Sequence, residues 1–273
     1  MSDLTLALYV KLRDAVYART GLYFDERKQY FFVRRLERRM ELAGTATATE
    51  YLGLLGSDTA EVLSLAEELT TNETYFFREY PQLQSFADEI LQDRLEEKRR
   101  ANDWTIDLWC AGCSTGEEPY TLAIILREVV EDFLRWRVRI TATDLSREVL
   151  RDARRATYGP RSVRDVPTVY LERYFDQTGD TFTVRPAITG MVDFRHANIL
   201  DGSVARDLAG ADFVFCRNVL IYFDDASRRR AVDHFYEALA PGGYIFLGHS
   251  ESVGRITSAF RLVRRGGMLA YVK

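Results

Sequence analysis

The residues best placed to do chemistry lie in Asp107-Leu-Trp-Cys-Ala-Gly-Cys-Ser-Thr-Gly-Glu-Glu-Pro-Tyr120. The apolar run from Ile106 to Cys110 reads as a buried strand. It breaks at Gly112 and Gly116, and a helix opens at Glu117 to Pro119. A parallel strand, a glycine turn and a helix N-terminus together make a crevice for a nucleotide-like ligand. Here the helix begins with two carboxylates, Glu117 and Glu118, which repel phosphate. The ligand expected is therefore uncharged or cationic. A plain βα turn that holds nothing is the simpler alternative.

Three further groups belong with that turn. Asp144 ends the next strand, Ile140-Thr-Ala-Thr-Asp144, where an acidic side chain can accept hydrogen bonds from ribose hydroxyls. It also directly precedes a helix, so a helix cap remains open. Arg217 and Asn218 stand at the carboxyl end of the apolar strand Asp212–Cys216, where open α/β sheets bind ligands. Tyr222 follows four residues later and either reaches that crevice or packs in a core. S-adenosylmethionine, with ribose hydroxyls, an ammonium and a sulfonium, meets these demands. Thr70–Tyr80 carries Tyr75, Phe76, Phe77 and Tyr80 beside Asn72, Thr74 and Arg78, so it reads as a packed linker at a cleft. Arg78 is its candidate for holding a carboxylate.

Composition narrows the classes. A hydrophobic share of 47% supports a sizeable core, and the net charge of −4 argues against nucleic acid as a partner. No run nears the ~18 apolar residues of a membrane span, and no secretory signal opens the chain. A cytoplasmic protein, not inserted in a membrane, is expected. Cys110 and Cys113 form C-x-x-C, but no second ligand pair follows, so reduced thiols and no metal are expected.

The elements that must position these residues fall into two grammars. Residues 1–70 read as helices only: Leu4–Arg19, Asp25–Ala43, then two more capped by Thr47 or Thr49 and by Ser57. After the linker 71–80, residues 81–273 alternate strands and helices: strands at 104–110, 137–143, 211–216, 243–248 and 268–272, helices at 117–131, 146–156 and 225–240. That rhythm implies a doubly wound α/β domain with a parallel sheet. Residues 158–196 interrupt it. Thr181–Arg185 and Met191–Arg195 alternate in period two and are expected to pair with each other in a small antiparallel β insert.

Asn72-x-Thr-x-Phe-Phe-Arg78, Ser114-Thr-Gly-Glu-Glu-Pro-Tyr120, Ala142-Thr-Asp144, Cys216-Arg-Asn-Val-Leu-Ile-Tyr-Phe223 and Gly248-His-Ser-Glu251 together resemble the CheR chemotaxis receptor methyltransferases. The resemblance covers nearly the whole chain in order. It implies a Rossmann-like class I methyltransferase domain behind an all-helical N-terminal domain that recognises the receptor. It also implies transfer of methyl from S-adenosylmethionine to receptor glutamates, with S-adenosylhomocysteine as product. By position, Asn72, Thr74, Arg78, Glu118, Asp144, Asn198, Ile199, Arg217 and Asn218 match the family's cofactor contacts, and Arg78 and Tyr222 match residues near the transferred methyl. One departure stands out. The loop Asp176–Thr181 is shorter than the one that docks a receptor's C-terminal pentapeptide in some members, so tail docking is not expected. A monomer meeting the receptor's cytoplasmic helical bundle directly is.

The helix from Asp25 to Ala43 is the candidate reader of that bundle. Phe32, Val33, Leu36 and Met40 fall on one side. Arg27, Lys28, Arg34, Arg35, Arg38 and Arg39 fall on another with Phe31 among them. A cationic face suits an acidic receptor helix. A merely solvated face is the other reading. Arg35, Arg38 and Arg39 are the residues on which recognition is expected to turn.

Overall fold

The computed structural model describes residues 4–71, 73–254 and 256–273. Asn72 lies outside the described residues. The chain divides into two compact units. One is Met1–Asn72 with Leu220–Arg230; the other is Glu73–Val219 with Ala231–Lys273.

The first unit is built from α1 (Leu6–Thr20), α2 (Gln29–Ala43), α3 (Ala48–Ser57) and α4 (Thr59–Leu69). The third helix is capped at Thr47 as expected, the fourth is capped by Asp58 and not by the expected Ser57, and α2 starts with no side-chain cap. Thr5 caps α1, Thr47 and Glu50 form a reciprocal capping box on α3, and Asp58 accepts from Ala60 and Glu61 at α4. The expected single helix 25–43 is a short tight turn at Glu26–Lys28 followed by α2. Tyr9, Leu12, Val16, Phe32, Leu36 and Tyr51 are wholly buried. The segment from Leu220 completes this unit. Leu22 bridges Phe223, the Tyr23 amide donates to Tyr222 O (2.9 Å), and the Tyr17 hydroxyl meets Asp224 (3.1 Å).

In the second unit α5 (Tyr80–Ser85), a wider π turn and α6 (Leu91–Arg100) precede the alternating β/α region. Its further elements are β1 (Thr105–Ala111), α7 (Glu117–Val129), β2 (Arg137–Asp144), α8 (Arg147–Arg155), β3 (Thr157–Tyr158), α9 (Pro160–Val163), α10 (Thr168–Tyr174), β4 (Phe175–Thr178), β5 (Thr181–Val184), α11 (Pro186–Thr189), β6 (Val192–His196), α12 (Gly202–Asp207), β7 (Ala211–Cys216), α13 (Asp225–Ala238, whose first turn belongs to the helical unit), β8 (Leu239–Leu247), β9 (Arg261–Arg265) and β10 (Met268–Val272). The large sheet runs β6-β2-β1-β7-β8-β10-β9. Its first five strands are parallel, and β10 and β9 close it antiparallel. The chain leaves β1 toward β2 and β6, then returns to β7 on the other side of β1. The switch point therefore falls at the carboxyl ends of β1 and β7. Phe86 wedges edge-on against Phe213, Phe215 and Phe246 beneath it.

One expected pairing is corrected. β5 pairs with β4 and β3 in a small antiparallel sheet, whereas β6 lies parallel to β2 at the edge of the large one. β6 alternates because Phe194 is buried while Asp193 and Arg195 face solvent. A half-covered edge strand in a parallel sheet leaves the same period-two mark as a hairpin strand. β9 was not expected. Its three arginines hide a strand that has a neighbour on one side only.

Candidate active site

β1 delivers the chain into a turn that needs its glycines. Gly112 and Cys113 donate to Thr143 O, and Ser114 and Gly116 take positive φ (49° and 94°). A Cβ on Gly116 would lie 3.0 Å from the Ala153 Cβ and 3.1 Å from the Tyr158 hydroxyl, which donates to Thr115 O. Asp144, at the end of β2, holds this turn from beside. Its Oδ2 accepts from the Ser114 amide (2.8 Å) and its Oδ1 from the Ser146 amide (3.0 Å). Ser146, not Asp144, supplies the side chain that caps α8. Burial pushes the Asp144 carboxyl above the ordinary carboxylate range, and the Ser146 and Ser114 amides oppose that. Its remaining lone pairs can still receive ligand hydroxyls.

α7 opens on the two carboxylates, near the positive end of its dipole. Glu117 is buried and accepts from the Thr115 hydroxyl (2.7 Å). Glu118 faces Arg217, whose Nη1 is 3.1 Å away. Burial raises both carboxyls, and for Glu118 the Arg217 guanidinium pulls the other way. The Arg217 side chain is 4% exposed, so its charge must be matched: Nη2 donates to Arg78 O (2.6 Å) and lies 3.4 Å from Glu79. Among the described residues two buried polar atoms at this place have no hydrogen-bond partner, Ser114 Oγ and Arg217 Nε.

The former linker is folded tightly here. Phe77 and Glu79 adopt positive φ (59° and 56°), fixed by Phe76 N donating to Ser162 O and Phe77 N donating to the Thr121 hydroxyl. Arg78 is half-buried, donates to Glu73 O (2.6 Å) and lies 5.8 Å from the Tyr75 ring centre. Thr74 is half-buried. Asn198 follows β6 and its Oδ1 accepts from Leu200 N, while Ile199 is buried with its carbonyl 3.0 Å from His234 Nδ1. Asn218, after β7, takes φ 61°. The three cysteines are free and buried, and burial raises each thiol well above its usual value, so they are poor nucleophiles.

Asp144, Glu118, Arg217, Asn218 and the Arg78 backbone thus converge at the carboxyl ends of the parallel strands. Tyr222 belongs to the helical unit, where its hydroxyl accepts from Thr71 N (2.9 Å) and donates to Thr71 O (3.3 Å). Arg35 stacks over Phe31 at 4.3 Å, and Arg38 is largely exposed, 3.4 Å from Glu68. Arg39 does not share that exposed arc. It makes a two-pronged bond to Glu61, 8% exposed, which also receives the Tyr51 hydroxyl. Residue spacing alone missed three participants: the Ser114 amide, Glu79 and Glu251. Ser114 and Glu251 left a mark in the sequence, as members of Ser114-Thr-Gly-Glu-Glu-Pro-Tyr120 and Gly248-His-Ser-Glu251; Glu79 left none.

Residues 72–266 match the family model described as CheR methyltransferase, SAM binding domain, and residues 7–70 the one described as CheR methyltransferase, all-alpha domain. These matches define the class, an S-adenosylmethionine-dependent methyltransferase. The chain belongs to the CheR methyltransferase family. It is 37% identical to chemotaxis protein methyltransferase 2 of Vibrio cholerae over 97% of this chain and 92% of that one. It is 33% identical to the chemotaxis protein methyltransferase of Borreliella burgdorferi over 89% and 87%. Among solved structures, an O-methyltransferase family protein from Burkholderia thailandensis aligns at a TM-score of 0.35 and 16% identity over 74% of this chain and 46% of that one, too remote to bear on function.

Proposed function

We propose that this protein transfers the methyl group of S-adenosylmethionine to glutamate side chains of chemoreceptors, forming methyl esters, at the cytoplasmic helical bundle of the receptor. One observation supports it above the rest: half-buried, acceptor-rich carboxylates, Glu118 and Asp144, stand at a turn where phosphate binding would call for bare amides. Each has been raised by burial, so a cationic, hydroxyl-rich ligand relieves both. The orphaned Ser114 Oγ and Arg217 Nε at the same place offer further polar partners. These features fit the cofactor.

When bound, S-adenosylmethionine supplies an electrophilic methyl on a sulfonium. The chain's own work is placement. Asp144 and Glu118 hold hydroxyls and positive charge, Arg217 fixes Glu118, and Arg78 and Asn218 bound the reacting end. A substrate glutamate, with a reference pKa near 4.3, is already anionic at neutral pH and needs no base. In-line positioning can contribute about 7–11 kcal/mol. The absence of a nucleophilic Cys or a catalytic His from the proposal follows from that chemistry. Tyr222 is assigned to orienting the reacting groups.

Recognition is assigned to the helical unit, with Arg35 and Arg38 on its cationic face. The β4–β5 hairpin turns through Gly179-Asp180 alone, Gly179 having φ 57°, and gives little loop to dock a receptor tail. The deciding experiment is transfer of labelled methyl from the cofactor to receptor fractions. Base-labile label on a receptor is expected. Base-stable label, or label on RNA or small molecules only, would overturn the glutamate assignment.

A further inference from the structure

Glu251 takes no part in the roles assigned above, yet it ties two of the site's loops together. Its Oε2 accepts from the Asn218 amide and from the Gly248 amide, both at 2.8 Å. The loops after the neighbouring strands β7 and β8 are thus joined on one carboxylate oxygen. Asn218 is held with φ 61°, a conformation Asn tolerates but does not prefer. Gly248 completes the clamp: a Cβ there would lie 2.8 Å from both Asn218 N and Asn218 Nδ2. The Asn218 side chain therefore rests on the bare face of Gly248, and a larger residue would displace it. The carboxylate opposes relaxation of Asn218 to negative φ, which would turn its amide group away. Hydrogen bonds to a charged acceptor are stronger than neutral ones, so the clamp is a firm one.

We propose that Glu251 is a positioning residue for methyl transfer, holding Asn218 in the conformation that meets the cofactor. The inference rests on the reading of Asn218 as a cofactor contact. It is tested by calorimetric S-adenosylmethionine affinity of Asn218→Ala, Glu251→Ala, Glu251→Gln and the Glu251→Ala/Asn218→Ala double variant, with amide exchange at residues 218 and 248 in the ligand-free protein. Each Ala variant should weaken binding about tenfold, the double variant no further, and Gln, which keeps an acceptor oxygen, by about threefold at most. Both amides should exchange faster in Glu251→Ala. If Asn218→Ala weakens binding but Glu251→Ala does not, or if the double variant loses about a hundredfold, Glu251 does not act through Asn218. If Asn218→Ala itself binds normally, the cofactor reading of Asn218 fails, and this inference with it.

Discussion

Asp144 is proposed to carry two duties at once, since the carboxylate assigned to the cofactor also fastens the Ser114 and Ser146 amides. Removing it would loosen the turn as well as the ligand, so Asp144→Asn, which keeps an acceptor oxygen, is the cleaner probe. It should weaken S-adenosylmethionine binding by about 1–3 kcal/mol in calorimetry. The pH dependence has a definite sign. A ligand that donates to Asp144 and Glu118 favours their ionised forms, so affinity is full at high pH and falls as pH drops through their pKa values in the free protein. Those values are raised by burial, so the loss should begin above the ordinary carboxylate range. Affinity constant down to pH 4 would contradict the assignment. Tyr222 is expected to separate binding from chemistry: Tyr222→Phe should lower kcat and leave cofactor affinity nearly intact. Equal turnover by both proteins would confine the hydroxyl to its bonds with Thr71.

Among the elements, α2 shows where reading a helix as a wheel of charges stops working. Six basic residues fall on one arc of the helix expected over 25–43, four of them in α2 itself, but the wheel is blind to α4 and α3, which bring Glu61 and Tyr51 to Arg39. Arg39→Ala should therefore cost stability, by about 1–3 kcal/mol through the buried Glu61 carboxylate whose charge it leaves unmatched, and a denaturant melt will register it. The glycine turn, the strands flanking it and the cluster at their carboxyl ends were legible because each rests on local signals: an apolar run, a break, a capped helix. The placement of β6 was not. Alternation records which side chains are covered and says nothing about the direction of the neighbouring strand. Nor could spacing announce the Glu79–Arg217–Glu118 chain, whose members lie 39 or more residues apart along the sequence except where the family motifs already drew them together. Such contacts exist only after the sheet has formed.

For the whole molecule, receptor capture should behave as a sum of small surface terms. Arg35→Ala with Arg38→Ala should reduce receptor methylation, most visibly at low salt, and leave cofactor affinity and melting temperature near wild type. Exposed pairs contribute only about 0–1 kcal/mol each and are screened by salt. Unchanged methylation at low salt would move recognition elsewhere, to the small β-sheet first. A free receptor-tail pentapeptide should not compete. The helical unit also makes a prediction for dissection experiments. A fragment of residues 1–72 lacks Leu220–Arg230, hence the Phe223 bridge, the Tyr222 carbonyl and Asp224. It should melt at a lower temperature than the same helices do in the full chain, as followed by circular dichroism.

That discontinuity sets an order of events during synthesis. The helices at the front of the chain leave the ribosome first, yet the segment that finishes their unit is separated from them by the 147 residues Glu73–Val219. At about 5–20 residues per second this gap lasts about 7–30 s. Through that interval Leu22 and Tyr23 wait without the segment they pair with, while the sheet of the other unit is still gaining its strands. The vulnerable period of this protein is therefore early in its life and at its amino-terminal end, where a chaperone or a protease would find it before any receptor could.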